Sequence, residues 1–348
     1  MIVTMRPGAA VSEIGAVIRT CQAQDLIAVP SHGAHRTVIG VVTADRSTDL
    51  SDVADLPGVE QVSPVSASFK LVGREFREEP TVVDAGGVRI GGEEFVVMAG
   101  PCSVETPDQI EACARQVAAC GGRILRGGAY KPRTSPYSFQ GLGEEGLELL
   151  ARAGARHGLP TITEVMHPDL VATVAARADI LQIGARNVQN YALLEAVGRA
   201  RKPVMLKRGL MTTIEELLLA AEYILAGGNR QVILCERGIR TFETSTRNTL
   251  DVTAVPVIKA QSHLPVILDP SHAAGLREFV PALARAALAA GADGIMIETH
   301  PDPARALSDG RQSLDFDTFA AMMDELRPIG EAMRRPLAPA EPLEEETA

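Results

Sequence analysis

In the last three quarters of the chain, short apolar runs alternate with amphipathic segments of helical period, and eight runs end in Gly or in a charged or metal-ligating residue. They are Phe95 to Cys102, Arg123 to Gly128, Pro160 to Glu164, Asp179 to Gly184, Pro203 to Lys207, Gln231 to Arg237, Pro265 to His272 and Gly294 to Glu298. Apolar runs of this length read as strands, and the 3.6-residue spacing between them is that of helices. Strand and helix repeated eight times predict a closed (β/α)8 TIM barrel over residues 81–335. Catalytic groups of such barrels gather at the C-terminal strand ends.

The first 66 residues have another rhythm. An apolar opening at Met1, a helical stretch from Val11 to Ala23, strands at Leu26 and Thr37, a helix near Leu50 to Leu56 and a strand from Val59 give the order βαββαβ. That order predicts a small ferredoxin-like domain. Residues 67–80 read as a polar linker, and Thr81 to Gly92 as a hairpin closing the barrel floor. The Pro- and Glu-rich tail, 336–348, is expected to be disordered. Thr106-Pro107-Asp108-Gln109, and Thr212 with Glu215, are helix starts of the capping-box kind. Cys113 and Cys120, seven apart on the first barrel helix, are expected to pack inward.

At 348 residues and 46% apolar content, the chain has room for one barrel and one small domain. A net charge of −10 argues against a nucleic-acid surface, so any anion site must be local. The chain has no signal-peptide pattern and no apolar run of the roughly 18 residues that span a bilayer, which predicts a cytoplasmic protein with no membrane partner. Its five scattered cysteines read as reduced thiols.

Chemistry is expected where the strands stop. Cys102, His272, Glu298 and, in the loop beyond strand eight, Asp309 are a thiol, an imidazole and two carboxylates. Strands one, seven and eight adjoin in a closed barrel, and prolines in Gly-Pro-Cys and Asp-Pro-Ser-His fix the turns that aim two of the four over the mouth. Such a mixed S/N/O set accepts a divalent transition metal and discriminates poorly among Mn, Fe, Co and Zn. A second constellation is cationic: Arg126, Lys131, Arg133, Arg186, Lys207, Arg208 and Arg237. Individual members have candidate partners in Glu164 and Glu236, yet an excess remains. Converging cations call for a ligand with several negative charges.

Ala-Gly-Pro-Cys-Ser-Val-Glu, Leu-Arg-Gly-Gly-Ala-Tyr-Lys-Pro-Arg-Thr-Ser-Pro, Gln-Ile-Gly-Ala-Arg-Asn, Leu-Lys-Arg-Gly, Cys-Glu-Arg-Gly and Asp-Pro-Ser-His closely resemble the motifs of type I 3-deoxy-D-arabino-heptulosonate 7-phosphate (DAHP) synthases. These open the shikimate pathway to chorismate and the aromatic amino acids. The likeness runs along residues 80–330 in family order, and the N-terminal piece resembles the regulatory ferredoxin-like domain of one branch.

The resemblance implies a transferase that condenses phosphoenolpyruvate with erythrose 4-phosphate and releases phosphate. It implies a metal, manganese before iron, cobalt or zinc, on Cys102, His272, Glu298 and Asp309. Arg126, Lys131, Arg186, Lys207 and Arg237, with the backbone of Gly184 and Ala185, would hold phosphoenolpyruvate, and Arg133 and Thr134 the aldose phosphate. Lys131 is expected as general acid, its pKa depressed by neighbouring cations, and Glu164 as the group that positions water. The alternative within the superfamily is 3-deoxy-D-manno-octulosonate 8-phosphate synthase. Against it, residues 131–135 read Lys-Pro-Arg-Thr-Ser where that relative characteristically has Lys-Ala-Asn-Arg-Ser. From another class comes a non-catalytic phosphometabolite sensor. The small domain is expected near the barrel mouth, with His32, His35 and Arg36 as candidates for an interface that binds a Tyr or Phe feedback effector. Assembly is expected to be a homotetramer.

Overall fold

In the computed structural model of the chain, residues 1–33, 35–42, 48–63, 68–132 and 135–340 are described. The N-terminal segment folds in the expected order: β1 (Ile2–Met5), α1 (Val11–Ala23), β2 (Ile27–His32), β3 (Thr37–Val42), α2 (Ser51–Ala54) and β4 (Val59–Ser63). Its sheet runs β2-β3-β1-β4, antiparallel throughout. Strand alternation sends Val3, Met5, Ile39 and Val41 towards Ile14, Val17 and Cys21 of α1.

The other face of this sheet is covered by the segment expected to be a polar linker. Phe69, Leu71, Val72 and Phe76 are buried there in one core with Ile2, Val29, Val38 and Val42. The same segment is tied to the barrel: the amides of Lys70, Leu71 and Val72 donate to the Glu222 carboxylate at 3.0, 2.8 and 2.9 Å. Arg230 donates to the Pro30 carbonyl at 2.9 Å from just before the sixth barrel strand, at the floor end of the barrel. Within one chain the small domain therefore lies along the barrel flank, with β2 reaching towards the floor, and not near the mouth as expected.

His263 completes this seam, its Nε2 donating to the Leu71 carbonyl at 2.8 Å and its Nδ1 lying 2.7 Å from the Thr81 hydroxyl. Burial pulls its pKa from 6.5 to about 4. Between those values the unfolded chain binds a proton that the folded chain does not, so this contribution is complete above pH 6.5 and is lost as pH falls towards 4. The loss reaches roughly 3 kcal/mol. Denaturant unfolding across this range should show a stability slope about one proton shallower for His263→Gln; an unchanged slope would contradict the assignment.

The hairpin β5 (Val83–Ala85) and β6 (Val88–Ile90) leads into eight parallel strands: β7 (Val96–Gly100), β8 (Ile124–Arg126), β9 (Thr161–Glu164), β10 (Ile180–Ile183), β11 (Val204–Lys207), β12 (Val232–Glu236), β13 (Val266–Leu268) and β14 (Gly294–Glu298). They close in sequential order, β14 returning to β7 with Glu298 opposite Gly100. Met98, Ile124, Ile162, Ile180, Met205, Ile233, Ile267 and Met296 fill the lower interior and meet Val83, Val88 and Ile90 of the hairpin, which is the floor plug expected. Only the C-terminal end is left open for a ligand.

The helices of the barrel layer are α3 (Pro107–Ala119), α4 (Glu144–Arg156), α5 (Val171–Ala175), α6 (Tyr191–Gly198), α7 (Ile214–Ala226), α8 (Ala254–Gln261), α9 (Pro270–Ala274), α10 (Val280–Ala289) and α11 (Phe316–Ala332). Thr106 caps α3 through the Gln109 amide at 3.1 Å, but the Gln109 side chain donates to the Ser103 carbonyl and closes no box. The box on α7 is formed by Thr213 and Glu216, one residue beyond the expected Thr212 and Glu215. Cys113 is buried and Cys120 half-buried. The start of the tail is packed: Pro336 accepts the Phe95 amide at 2.9 Å and Ala338 accepts Arg327 at 2.6 Å. Residues 341–348 lie outside the described residues. No described helix is long and apolar enough to cross a membrane.

Candidate active site

Cys102 follows the last residues of β7, Glu298 ends β14 and Asp309 stands in the loop after it. Their sulfur and carboxylate oxygens all lie within 4.8 Å of one another. His272 comes from α9, whose N-cap Asp269 accepts the His272 amide at 2.9 Å. The Asp269 carboxylate also lies 2.8 Å from His272 Nδ1, leaving Nε2 directed at Glu298 (3.3 Å) and Asp309 (4.0 Å). A carboxylate on one ring nitrogen is the usual means of orienting a metal-bound imidazole by the other. The four expected ligands are thus brought together, and soft sulfur, imidazole nitrogen and hard oxygens suit a divalent transition metal. Burial and the nearby Glu298 push the Cys102 thiol up to about 11, so ligation at neutral pH releases a proton.

The cations sort themselves by strand direction. Arg126, at the end of β8, donates to the Pro101 carbonyl at 2.7 Å and to Glu298 at 2.9 Å. Lys131 Nζ donates to the Cys102 carbonyl at 2.8 Å and to its sulfur at 3.0 Å. These hydrogen bonds hold its ammonium against the Cys102 turn. Lys207 is paired with Asp269. Arg208, the residue just after β11, points the other way and pairs with Glu236 (2.9 Å) and Asp251 (2.8 Å), so it leaves the cluster.

Arg237 is buried, and its guanidinium donates only to the Gly238 and His272 carbonyls, each at 3.4 Å, among the described residues. Burial lowers its pKa, against the opposing pull of the nearby Asp269 carboxylate. Arg186 is exposed on the short turn Ala185–Asn187 that follows β10. Glu164 at the end of β9 accepts from Gln182 at 3.4 Å, and a Cβ at Gly184 would collide with its carboxylate. Gly184 therefore leaves the space that the Glu164 carboxylate occupies. Arg133 and Thr134 lie outside the described residues.

Several polar partners escaped the sequence reading. Gln312 donates to Glu298 at 2.6 Å, and Ser103 meets Ser308 at 2.5 Å, joining the loops that carry Cys102 and Asp309. Asp269 stood in a quoted motif without a role. Gln312, three residues past Asp309, gave no signal beyond that proximity.

Residues 74–332 match the family model described as the DAHP synthetase I family, and residues 1–67 match that of the DAHP synthase ferredoxin-like domain. A phospho-2-dehydro-3-deoxyheptonate aldolase of Thermotoga maritima is 51% identical over 333 residues, 96% of this chain and 98% of the relative. A 2-dehydro-3-deoxyphosphooctonate aldolase of Syntrophobacter fumaroxidans is 32% identical over 71% of this chain and 91% of its own. The crystal structure of the Thermotoga maritima DAHP synthase superposes with a TM-score of 0.77 at 50% identity, covering 96% of this chain and 98% of that one. A truncated form of that enzyme gives 0.72 at 51% identity over 76% of this chain and 98% of its own. Matched along both its parts and sharing half its residues with that relative, the chain belongs to the DAHP synthetase I family.

Proposed function

We propose that the barrel mouth condenses phosphoenolpyruvate with erythrose 4-phosphate to DAHP and inorganic phosphate, with the four-donor cluster holding a divalent metal, manganese first among the candidates. The observation that supports this most is Arg237, a buried cation with no carboxylate hydrogen-bonded to it among the described residues, at the same mouth as the cluster of Cys102, Glu298 and Asp309 with His272 beside it. Such a charge calls for an anionic ligand. When bound, the metal would act as a Lewis acid on the aldehyde oxygen. Arg126, Lys131, Arg186, Lys207 and Arg237, with the amides of Gly184 and Ala185, would hold the carboxylate and phosphate of phosphoenolpyruvate. Arg133 and Thr134 would take the aldose phosphate.

Carbon 3 of phosphoenolpyruvate attacks the aldehyde carbon, whose oxygen takes a proton. Lys131 is the donor in this reading, because its ammonium is fixed beside Cys102. Water held by Glu164 adds at carbon 2, and the resulting hemiketal phosphate loses inorganic phosphate by C–O cleavage. The buried cations stabilise the charge on the departing group. Metal-loaded protein given both substrates should release one phosphate per phosphoenolpyruvate consumed and form a seven-carbon 2-keto-3-deoxy acid. Absence of that product would refute the reading and leave the sensor.

The small domain is assigned to regulation by Tyr or Phe, and the chain to a cytoplasmic homotetramer. A cavity of about 340 Å³ lies between Ser31, His32, His35 and Arg36 of the hairpin and Arg74 to Glu79 of the linker, room enough for an amino acid. Occupancy there acts only through a difference in affinity between two arrangements of the domain. The buried Phe69 and the amides on Glu222 move the cut: a chain beginning at Ser68 should keep turnover and lose inhibition. A full-length enzyme indifferent to both amino acids would leave the domain a structural or assembly role.

A further inference from the structure

The loop between β12 and α8 supplies no metal donor in this reading, yet two of its residues reach three of the four. Arg247 Nη1 donates to Gln312 Oε1 at 2.9 Å and lies 3.4 Å from Asp309 Oδ1. Gln312, almost fully buried, passes the contact on, its Nε2 donating to Glu298 Oε2 at 2.6 Å. A guanidinium can only donate and an ionised carboxylate can only accept, so a neutral amide is the group that joins them in line. Glutamate at 312 would set one carboxylate against another. Asn248, also buried, donates from Nδ2 to the His272 carbonyl at 3.0 Å.

The main chain fixes where these side chains start. The Arg247 and Asn248 amides donate to the Ala274 and Ala273 carbonyls of α9 at 3.0 and 2.8 Å. Two glycines with positive φ make room on either side: a Cβ at Gly275 (φ +69°) would collide with Arg247, and one at Gly238 (φ +90°) with Asn248. The loop is thereby pressed against the helix that carries His272, while its arginine reaches the loop after β14.

We propose that Arg247, Asn248 and Gln312 are positioning residues of the metal centre: Arg247 orients Asp309 directly and Glu298 through Gln312, and Asn248 orients His272 through its carbonyl. The inference rests on the reading of Cys102, His272, Glu298 and Asp309 as a metal site. Outer partners of this kind set metal affinity, because they hold the ligands in the bound arrangement before the ion arrives.

Metal-stripped protein titrated with Co²⁺ tests it, since thiolate-to-cobalt absorption reports ligation by Cys102, and calorimetry of phosphoenolpyruvate without metal reports the anion pocket separately. Arg247→Ala and Gln312→Ala should each weaken Co²⁺ binding roughly 10- to 100-fold. Both should leave metal-free phosphoenolpyruvate binding unchanged. Because the two act in series on Glu298, the double variant should fall well short of the product of the single losses. Arg247→Lys, which keeps a cationic donor, should recover part of the loss, and Arg247→Gln, similar in reach but uncharged, should not. Single variants that bind Co²⁺ with native affinity, or losses that multiply fully in the double, would overturn the positioning role while the native absorption still upheld the metal. If the native protein binds Co²⁺ without thiolate absorption, or not at all, the metal reading itself fails and the positioning role with it.

Discussion

Alanine at position 102 should lower turnover about 1,000-fold, since losing a metal that supplies several kcal/mol of charge stabilisation costs about three decades in rate. The Cys102 sulfur touches three other parts of the site: it receives Lys131 at 3.0 Å, lies 3.3 Å from Asp309 and shares the ligand cluster with Glu298. Its removal therefore takes away the softest donor and one anchor of the proposed acid. Chelation of the native enzyme should have the same effect, reversed by a divalent ion. Restoration in Cys102→Ala should require far more metal. Full activity of that variant in chelator-treated buffer would remove the metal from the account.

Alanine at position 237 should raise the KM for phosphoenolpyruvate roughly 30- to 150-fold, corresponding to the 2–3 kcal/mol that a charged hydrogen-bonding partner contributes to a buried anion. Arg237 is already desolvated in the free protein and, among the described residues, hydrogen-bonded only to carbonyls, so its charge is available to an incoming anion. The KM for erythrose 4-phosphate should change little. Arg133→Ala should show the reverse, and equal shifts for both substrates in either variant would mean that the cations are not divided between two ligands.

The barrel was legible because nearly every strand, Thr161–Glu164 excepted, is an apolar run with a polar or glycine stop, a pattern that a parallel sheet buried on both faces imposes. That Cys102, His272, Glu298 and Asp309 would meet was legible for the same reason: strand ends are fixed points, and the four lie at or beyond the ends of strands that closure makes neighbours. Alternation along a strand was underused. Lys207 ends β11 and Arg208 follows it, so their side chains leave in opposite directions, Lys207 to Asp269 at the mouth and Arg208 to Glu236. The segment from Phe69 to Phe76 hid its burial because its apolar residues are interleaved with Lys70, Arg74 and Glu75 and keep neither strand nor helix period. The bracket of Arg247, Asn248 and Gln312 lies wholly in loops, where no periodicity marks which side chain turns inward.

Steady-state phosphate release from phosphoenolpyruvate, with erythrose 4-phosphate and arabinose 5-phosphate supplied in turn to the same metal-loaded protein, tests the central claim most directly. The account predicts a much larger kcat/KM with the four-carbon aldose and a product that matches DAHP. Equal or greater efficiency with the five-carbon aldose would contradict it.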